Sequence, residues 1–116
     1  MGEDTMNLLL KCFNVEETRA FYAEILGFEV SDGPEGTCSV RLEGGTIVFT
    51  EADLWAGHPH CTGTIYFFLA DVDRYYRKVR NKAIVLWPLE TTAYGTREFG
   101  VKDCNEYTIA FAANRA

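Results

Sequence analysis

The stretch NVEETRAFYAEILGFEV, residues 14–30, governs how this chain folds. Asn14 can cap a helix, Glu17 follows three residues later as in a capping pair, and Gly27 falls where helices stop. Ahead of it, MNLLLKC (6–12) is a short apolar run. Behind it, FEV, TCSVRL and GGTIVFTEA are short, rich in β-branched and apolar residues, and set apart by glycines, so each reads as a strand. The order is strand, helix and three strands.

The second half repeats that order. GTIYFFLA (63–70) reads as a strand and DVDRYYRKVRNK (71–82) as a helix. Asp71 is its cap, and Val72, Tyr75, Tyr76 and Val79 recur at helical spacing. AIVLW, TREFGVK and EYTIAF follow as strands. A shift of 57 lays Asn14 and Val15 on Asp71 and Val72, and so Asn7 on Thr64; a shift of 62 lays GTIVF (45–49) on YTIAF (107–111), and so Val48 on Ala110. The expected fold is α+β, with two paired βαβββ modules, 7–56 and 63–114, forming a curved mixed sheet within one domain over 1–116. Modules of about 50 residues are too small to bury a full core alone, so pairing or exchange with a partner chain is expected.

Strand side chains alternate between faces. One set (Ile47, Phe49, Ile65, Phe67, Leu69, Ile109, Phe111) is bulky and apolar and should lie under the helices. The opposite set combines small residues (Thr46, Val48, Thr50, Thr64, Thr108, Ala110, Ala112) with Tyr66 and Phe68, and carries no charge on these three strands. Such a face forms either a concave ligand cavity with aromatic stacking surface or a filled contact with a second sheet or subunit.

Composition narrows the function. The chain has 116 residues, 47% of them hydrophobic, and a net charge of −6. That charge argues against nucleic-acid binding and suits a cationic small molecule. No run approaches the roughly 18 apolar residues that span a membrane. The acidic start MGEDTMN lacks a signal core, and Cys12, Cys38, Cys61 and Cys104 form no CxxC pair, so a cytoplasmic protein with free thiols is expected. No phosphate loop occurs, because GPEG and EGG precede no helix, and the two serines lie far from the histidines that a triad would need. His58, His60 and Cys61 sit together in GHPHC (57–61), in the connection between modules. Their close spacing in one extended segment cannot close a tetrahedral site without a further donor.

RAFYAEILGFEV (19–30) and AYGTREFGVKDCNEYTIAFA (93–112) resemble the two signatures of the vicinal oxygen chelate superfamily, the glyoxalase, bleomycin-resistance and extradiol-dioxygenase group, and most nearly its bleomycin-resistance branch. The resemblance implies paired βαβββ modules, a homodimer, and a cavity between modules. It carries the superfamily's metal-ligand positions onto Asn7, Val48, Thr64 and Ala110, with Thr50 or Glu51 as alternatives to Val48. Val48 and Ala110 offer no donor atom, so the expected state has no metal cofactor. The resemblance also places Tyr66, Phe68 and Tyr94 in a drug-binding groove. Trp87 is a further candidate for ligand contact, and Arg97 or Glu98 would supply charge. In the last hairpin, Glu106 stands where the family has glycine, and Asn105 is expected to take the positive φ.

These readings point to a metal-free protein that binds and sequesters a small aromatic or cationic molecule of antibiotic type. One alternative is a glyoxalase-type lyase or isomerase with a displaced or intersubunit divalent metal such as zinc or nickel, using Glu51, His58 or His60. Another is a partner-binding domain whose cavity is filled.

Overall fold

The structure is a computed structural model and describes residues 7–114; the acidic start at 1–6 and the last two residues lie outside the described ones. Its contacts divide the chain into two compact units, the first ending at His60 and the second beginning at Cys61.

The first unit contains β1 (Leu8–Lys11), α1 (Val15–Ala20) continued by a π-helical segment Phe21–Ile25, β2 (Glu29–Asp32), β3 (Thr37–Leu42) and β4 (Gly45–Thr50). The second contains β5 (Thr64–Leu69), α2 (Val72–Val79), β6 (Ile84–Thr91), β7 (Arg97–Lys102) and β8 (Thr108–Ala113). Each unit is βαβββ with a four-stranded mixed sheet, ordered β1-β4-β3-β2 and β5-β8-β7-β6. This is the expected α+β fold, with one sheet per module.

The internal repeat holds at single-residue register. β1 pairs parallel with β4 as Leu8↔Ile47, Leu9↔Val48, Leu10↔Phe49 and Lys11↔Thr50. Adding 57 to the first members and 62 to the second gives Ile65↔Ile109, Tyr66↔Ala110, Phe67↔Phe111 and Phe68↔Ala112, which are the pairs found between β5 and β8. The helix starts correspond too. The Asn14 side chain accepts from Glu17 N at 2.8 Å, and Asp71 accepts from Arg74 N at 3.1 Å. Each such cap contributes about 1 kcal/mol. The first helix widens where the second does not: Leu26 N–H donates to Phe21 O at 3.2 Å, five residues back.

The predicted apolar face is the core of each unit. Tyr22 packs on Phe28 at 5.0 Å and on Phe49 at 5.3 Å in the first. In the second, Phe99 meets Phe111 at 5.2 Å, while Tyr76 covers Phe99 and Tyr75 covers Phe111, both at 4.8 Å. Burying each such ring contributes about 1.5–3 kcal/mol. β6 runs further than expected, through Pro88, which an edge strand tolerates because it gives up only an outward donor.

The last hairpin differs from expectation. Glu106, not Asn105, takes the positive φ, at 70°. Asp103 makes this possible, because its carboxylate accepts from Asn105 N at 2.9 Å and Tyr107 N at 2.8 Å and so braces the turn from inside. A non-glycine residue can hold a left-handed conformation when its surroundings over-determine it.

All four cysteines are free thiols, and Cys12 and Cys38 are buried. Burial, aided by the neighbouring Cys12, pushes the Cys38 thiol up to about 11 from 9.0. The folded chain therefore binds the extra proton between those values, and stability present below pH 9 is lost as pH rises toward 11. Unfolding measured across this window should show a steeper alkaline decline for the parent than for Cys38→Ala. At about pH 8 a thiol reagent should modify exposed Cys61 while Cys38 stays protected until the chain unfolds.

Candidate functional site

The β7 sequence REFGVK settles which residues face the helix. Phe99 and Val101 are fully buried in the core, so Arg97 shares their side and Glu98 and Gly100 turn to the opposite one. Arg97 reaches α2, where its Nε and one terminal nitrogen donate to the two carboxylate oxygens of Asp73, each at 2.9 Å. That contact holds the Asp73 carboxyl below its usual range. Between the two residues expected to supply a charge, Glu98 is the one on the Tyr66 face, and Arg97 is committed to the helix.

Glu98 is only 2% exposed, and four side chains converge on it. Tyr66 Oη donates to Oε2 at 3.1 Å and Trp87 Nε1 to the same oxygen at 3.2 Å. Thr96 Oγ1 donates to Oε1 at 2.7 Å and Tyr94 Oη at 3.3 Å. Four donors match the acceptor sites of a carboxylate, which makes burial of this group tolerable. Hydrogen bonding to Tyr94, then burial and Glu98 itself, push the Tyr66 hydroxyl well above the ordinary tyrosine range, so it stays a donor at neutral pH.

Local structure sets up this convergence. The β6–β7 turn closes with Thr92 N–H donating to Thr96 O at 2.8 Å and Gly95 N–H donating to Thr92 O at 2.9 Å. Gly95 supplies the positive φ of 93° that the turn requires, which puts Tyr94 and Thr96 beside the β7 carboxylate. Trp87 can lie flat against β7 because residue 100 has no side chain: a Cβ there would come within 2.4–2.6 Å of the indole ring.

The aromatic rings remain accessible although the hydroxyls of Tyr66 and Tyr94 are tied down. Tyr66 is 41%, Phe68 49% and Tyr94 68% exposed. Tyr66 and Phe68 stack with centroids 6.1 Å apart and planes 18° apart. Buried Ala110 and Ala112 lie beside them on β8, leaving the rings standing above a floor of small residues.

Each remaining sequence candidate has its own setting within its unit. Val48 is half-buried on β4 opposite Leu9, and Thr50 is buried with its hydroxyl accepting from Ala52 N at 3.1 Å. Asn7 is exposed ahead of β1, and Thr64 is exposed at the start of β5. Glu51 accepts from Val15 N at 2.6 Å and so serves as a cap on α1. His58 and His60 are exposed, with ring centroids 6.3 Å apart. Among the described residues no three His, Cys, Asp or Glu side chains come together as a metal-binding group. The positions carried over from the metalloenzymes include two aliphatic side chains, Val48 and Ala110, so those four positions do not supply the donor set of a divalent ion. Also among the described residues, no helix is long and apolar enough to cross a membrane.

The sequence model of the Glyoxalase/Bleomycin resistance protein/Dioxygenase superfamily matches residues 8–111. The chain belongs to this superfamily. Solved structures with the same glyoxalase fold include a protein of unknown function from Agrobacterium tumefaciens, 20% identical, covering 99% of this chain and 97% of that one with a TM-score of 0.77. TioX from Micromonospora sp. ML1 is 15% identical, with 97% and 100% coverage and a TM-score of 0.80. A glyoxalase/bleomycin resistance protein/dioxygenase from Alicyclobacillus acidocaldarius is 15% identical, with 100% and 95% coverage and a TM-score of 0.79. No curated protein gives a significant match. Among the described residues of this chain, the first module places different side chains at the positions of the Glu98 cluster. Register aligns Glu98 with Thr37, Gly100 with Ser39, Tyr66 with Leu9 and Phe68 with Lys11.

Gly100→Ala should displace the indole from β7 and break its bond to Glu98 while leaving the helix-side core in place. The expected readout is a shifted tryptophan emission with a loss of about 1–3 kcal/mol in unfolding free energy. Unchanged emission would mean that Trp87 does not rest on Gly100.

Proposed function

We propose that this protein binds and sequesters a small aromatic or cationic molecule of the antibiotic type, stoichiometrically, without a metal ion, and as a homodimer. The observation that carries this reading is the pair of exposed rings Tyr66 and Tyr94, whose hydroxyls are held by the buried Glu98 carboxylate, with exposed Phe68 stacked on Tyr66. Rings pinned in this way lose little freedom when a flat ligand stacks on them, which favours binding. The negative charge beneath them and the chain's net charge of −6 favour a positive ligand. The superfamily includes bleomycin resistance proteins, which makes bleomycin the first compound to test. The dimer is supported by the small size of each module, which leaves apolar surface such as Leu9, Ile84 and Leu86 exposed.

Calorimetric titration with bleomycin and with flat aromatic cations should give saturable binding. Tyr66→Ala and Tyr94→Ala should each weaken it by about tenfold. If both alanine variants bind every ligand as tightly as the parent, the ring assignment is wrong.

Elemental analysis of protein purified without chelators should find zinc, nickel, manganese and iron far below one ion per chain, and light scattering should give twice the 13.1 kDa chain mass. A stoichiometric metal would overturn the metal-free reading. A monomer mass would overturn the dimer.

A further inference from the structure

The acceptor sites of Glu98 are already used. Two donors meet each oxygen: Tyr66 and Trp87 on Oε2, Tyr94 and Thr96 on Oε1. A ligand N–H that sought this carboxylate would have to displace one of them, leaving a protein donor without its partner. The charge itself is not cancelled, because all four donors are neutral groups. It acts outward through the rings. A phenol or indole that donates to an anion is polarised toward its own ring, which strengthens the negative ring face that attracts cations.

From this we infer that the Glu98 cluster selects monocations whose charge is carried without N–H donors, on a quaternary ammonium or an N-alkylated aromatic ring. This inference rests on the proposed function and narrows its ligand class. Strongly hydrated primary ammonium groups and fork-shaped amidinium groups are the disfavoured cations. They lose water and N–H partners at ring faces and find no free carboxylate oxygen in return. Soft, weakly hydrated cations lose little and gain both stacking and the field of Glu98. Tyr66 and Phe68, stacked and about half exposed, offer the contact surface. Trp87 and Tyr94, together with Tyr66, are the rings whose polar edges end on the same carboxylate.

The test uses three probes of similar size on the full-length protein at about pH 8: N-methylisoquinolinium, neutral isoquinoline and benzamidinium. N-methylisoquinolinium should bind about tenfold more tightly than isoquinoline, and benzamidinium should bind no better than isoquinoline. Glu98→Gln retains the side-chain size, and the surrounding hydroxyls can turn from donor to acceptor, so the site can survive the change. In that variant the preference for the cation over isoquinoline should fall to about twofold or less, because the charge that distinguishes the two probes is gone. Tyr66→Phe keeps the ring and removes its link to Glu98; it should lower the same preference by about threefold, and it serves as the control if Glu98→Gln fails to fold.

Equal binding of N-methylisoquinolinium and isoquinoline, or a preference that survives both substitutions, would overturn the inference while leaving an aromatic-binding function in place. Tightest binding by benzamidinium would overturn it in favour of a direct ion pair. Absence of binding by all three probes would overturn the inference and the proposed function together.

Discussion

The parallel pairing of the first strand of each module with its last sets the rest of the structure. β8 lies between β5 and β7, and β4 between β1 and β3, so every other strand takes its register directly or indirectly from these central strands. A slip of one residue would exchange the two faces and bring Phe67, Phe111 and Phe99 out from under α2. The cost of exposing that apolar cluster holds the register. Once it holds, the opposite face has no freedom left: Tyr66, Phe68, Ala110, Ala112, Glu98 and Gly100 must share it. The site is thus a consequence of the core on the other side of the sheet.

The two modules use this geometry differently. Their strand orders, cap positions and central registers correspond residue for residue. Yet Leu9, Lys11, Thr37 and Ser39 in the first occupy the places of Tyr66, Phe68, Glu98 and Gly100 in the second. Lys11 instead bonds Asp53 at 2.6 Å, and Glu51 caps α1, so charged groups at the end of β4 hold the first module's chain entry and exit. In the second module the corresponding face holds a buried carboxylate and rings. A shared scaffold can take on such different chemistry because face residues are free to vary as long as the core set keeps its period.

Burying Glu98 would be costly if its oxygens lacked partners, and the partners come from three separate places: β5, β6 and the β6–β7 turn. That arrangement ties these segments together and fixes the rings. Arg97 and Glu98, neighbours in sequence, go to opposite faces and do opposite jobs. Arg97 fastens α2 to the sheet through Asp73, while Glu98 organises the aromatic surface.

Much of this was legible from one strand of letters. Apolar alternation and capping residues marked both βαβββ repeats, the core face and the aromatic set on the other face, because these depend on local periods and on side chains three or four residues apart. The parity of Glu98 was also within reach, since Phe99 and Val101 bracket Gly100 as core residues. The turn at Glu106 was not, because the brace comes from Asp103 folding back on two later amides. Nor was the π-helical widening after Ala20, or the diversion of Glu51 to a helix cap 36 residues away. The convergence of Tyr66, Trp87, Tyr94 and Thr96 on one carboxylate belongs to the same class. Sequence alone determined which residues share a face, since that follows from strand alternation. Which of them meet was decided only by tertiary structure, because hydrogen bonds across strands depend on register, twist and turn geometry that no local pattern encodes.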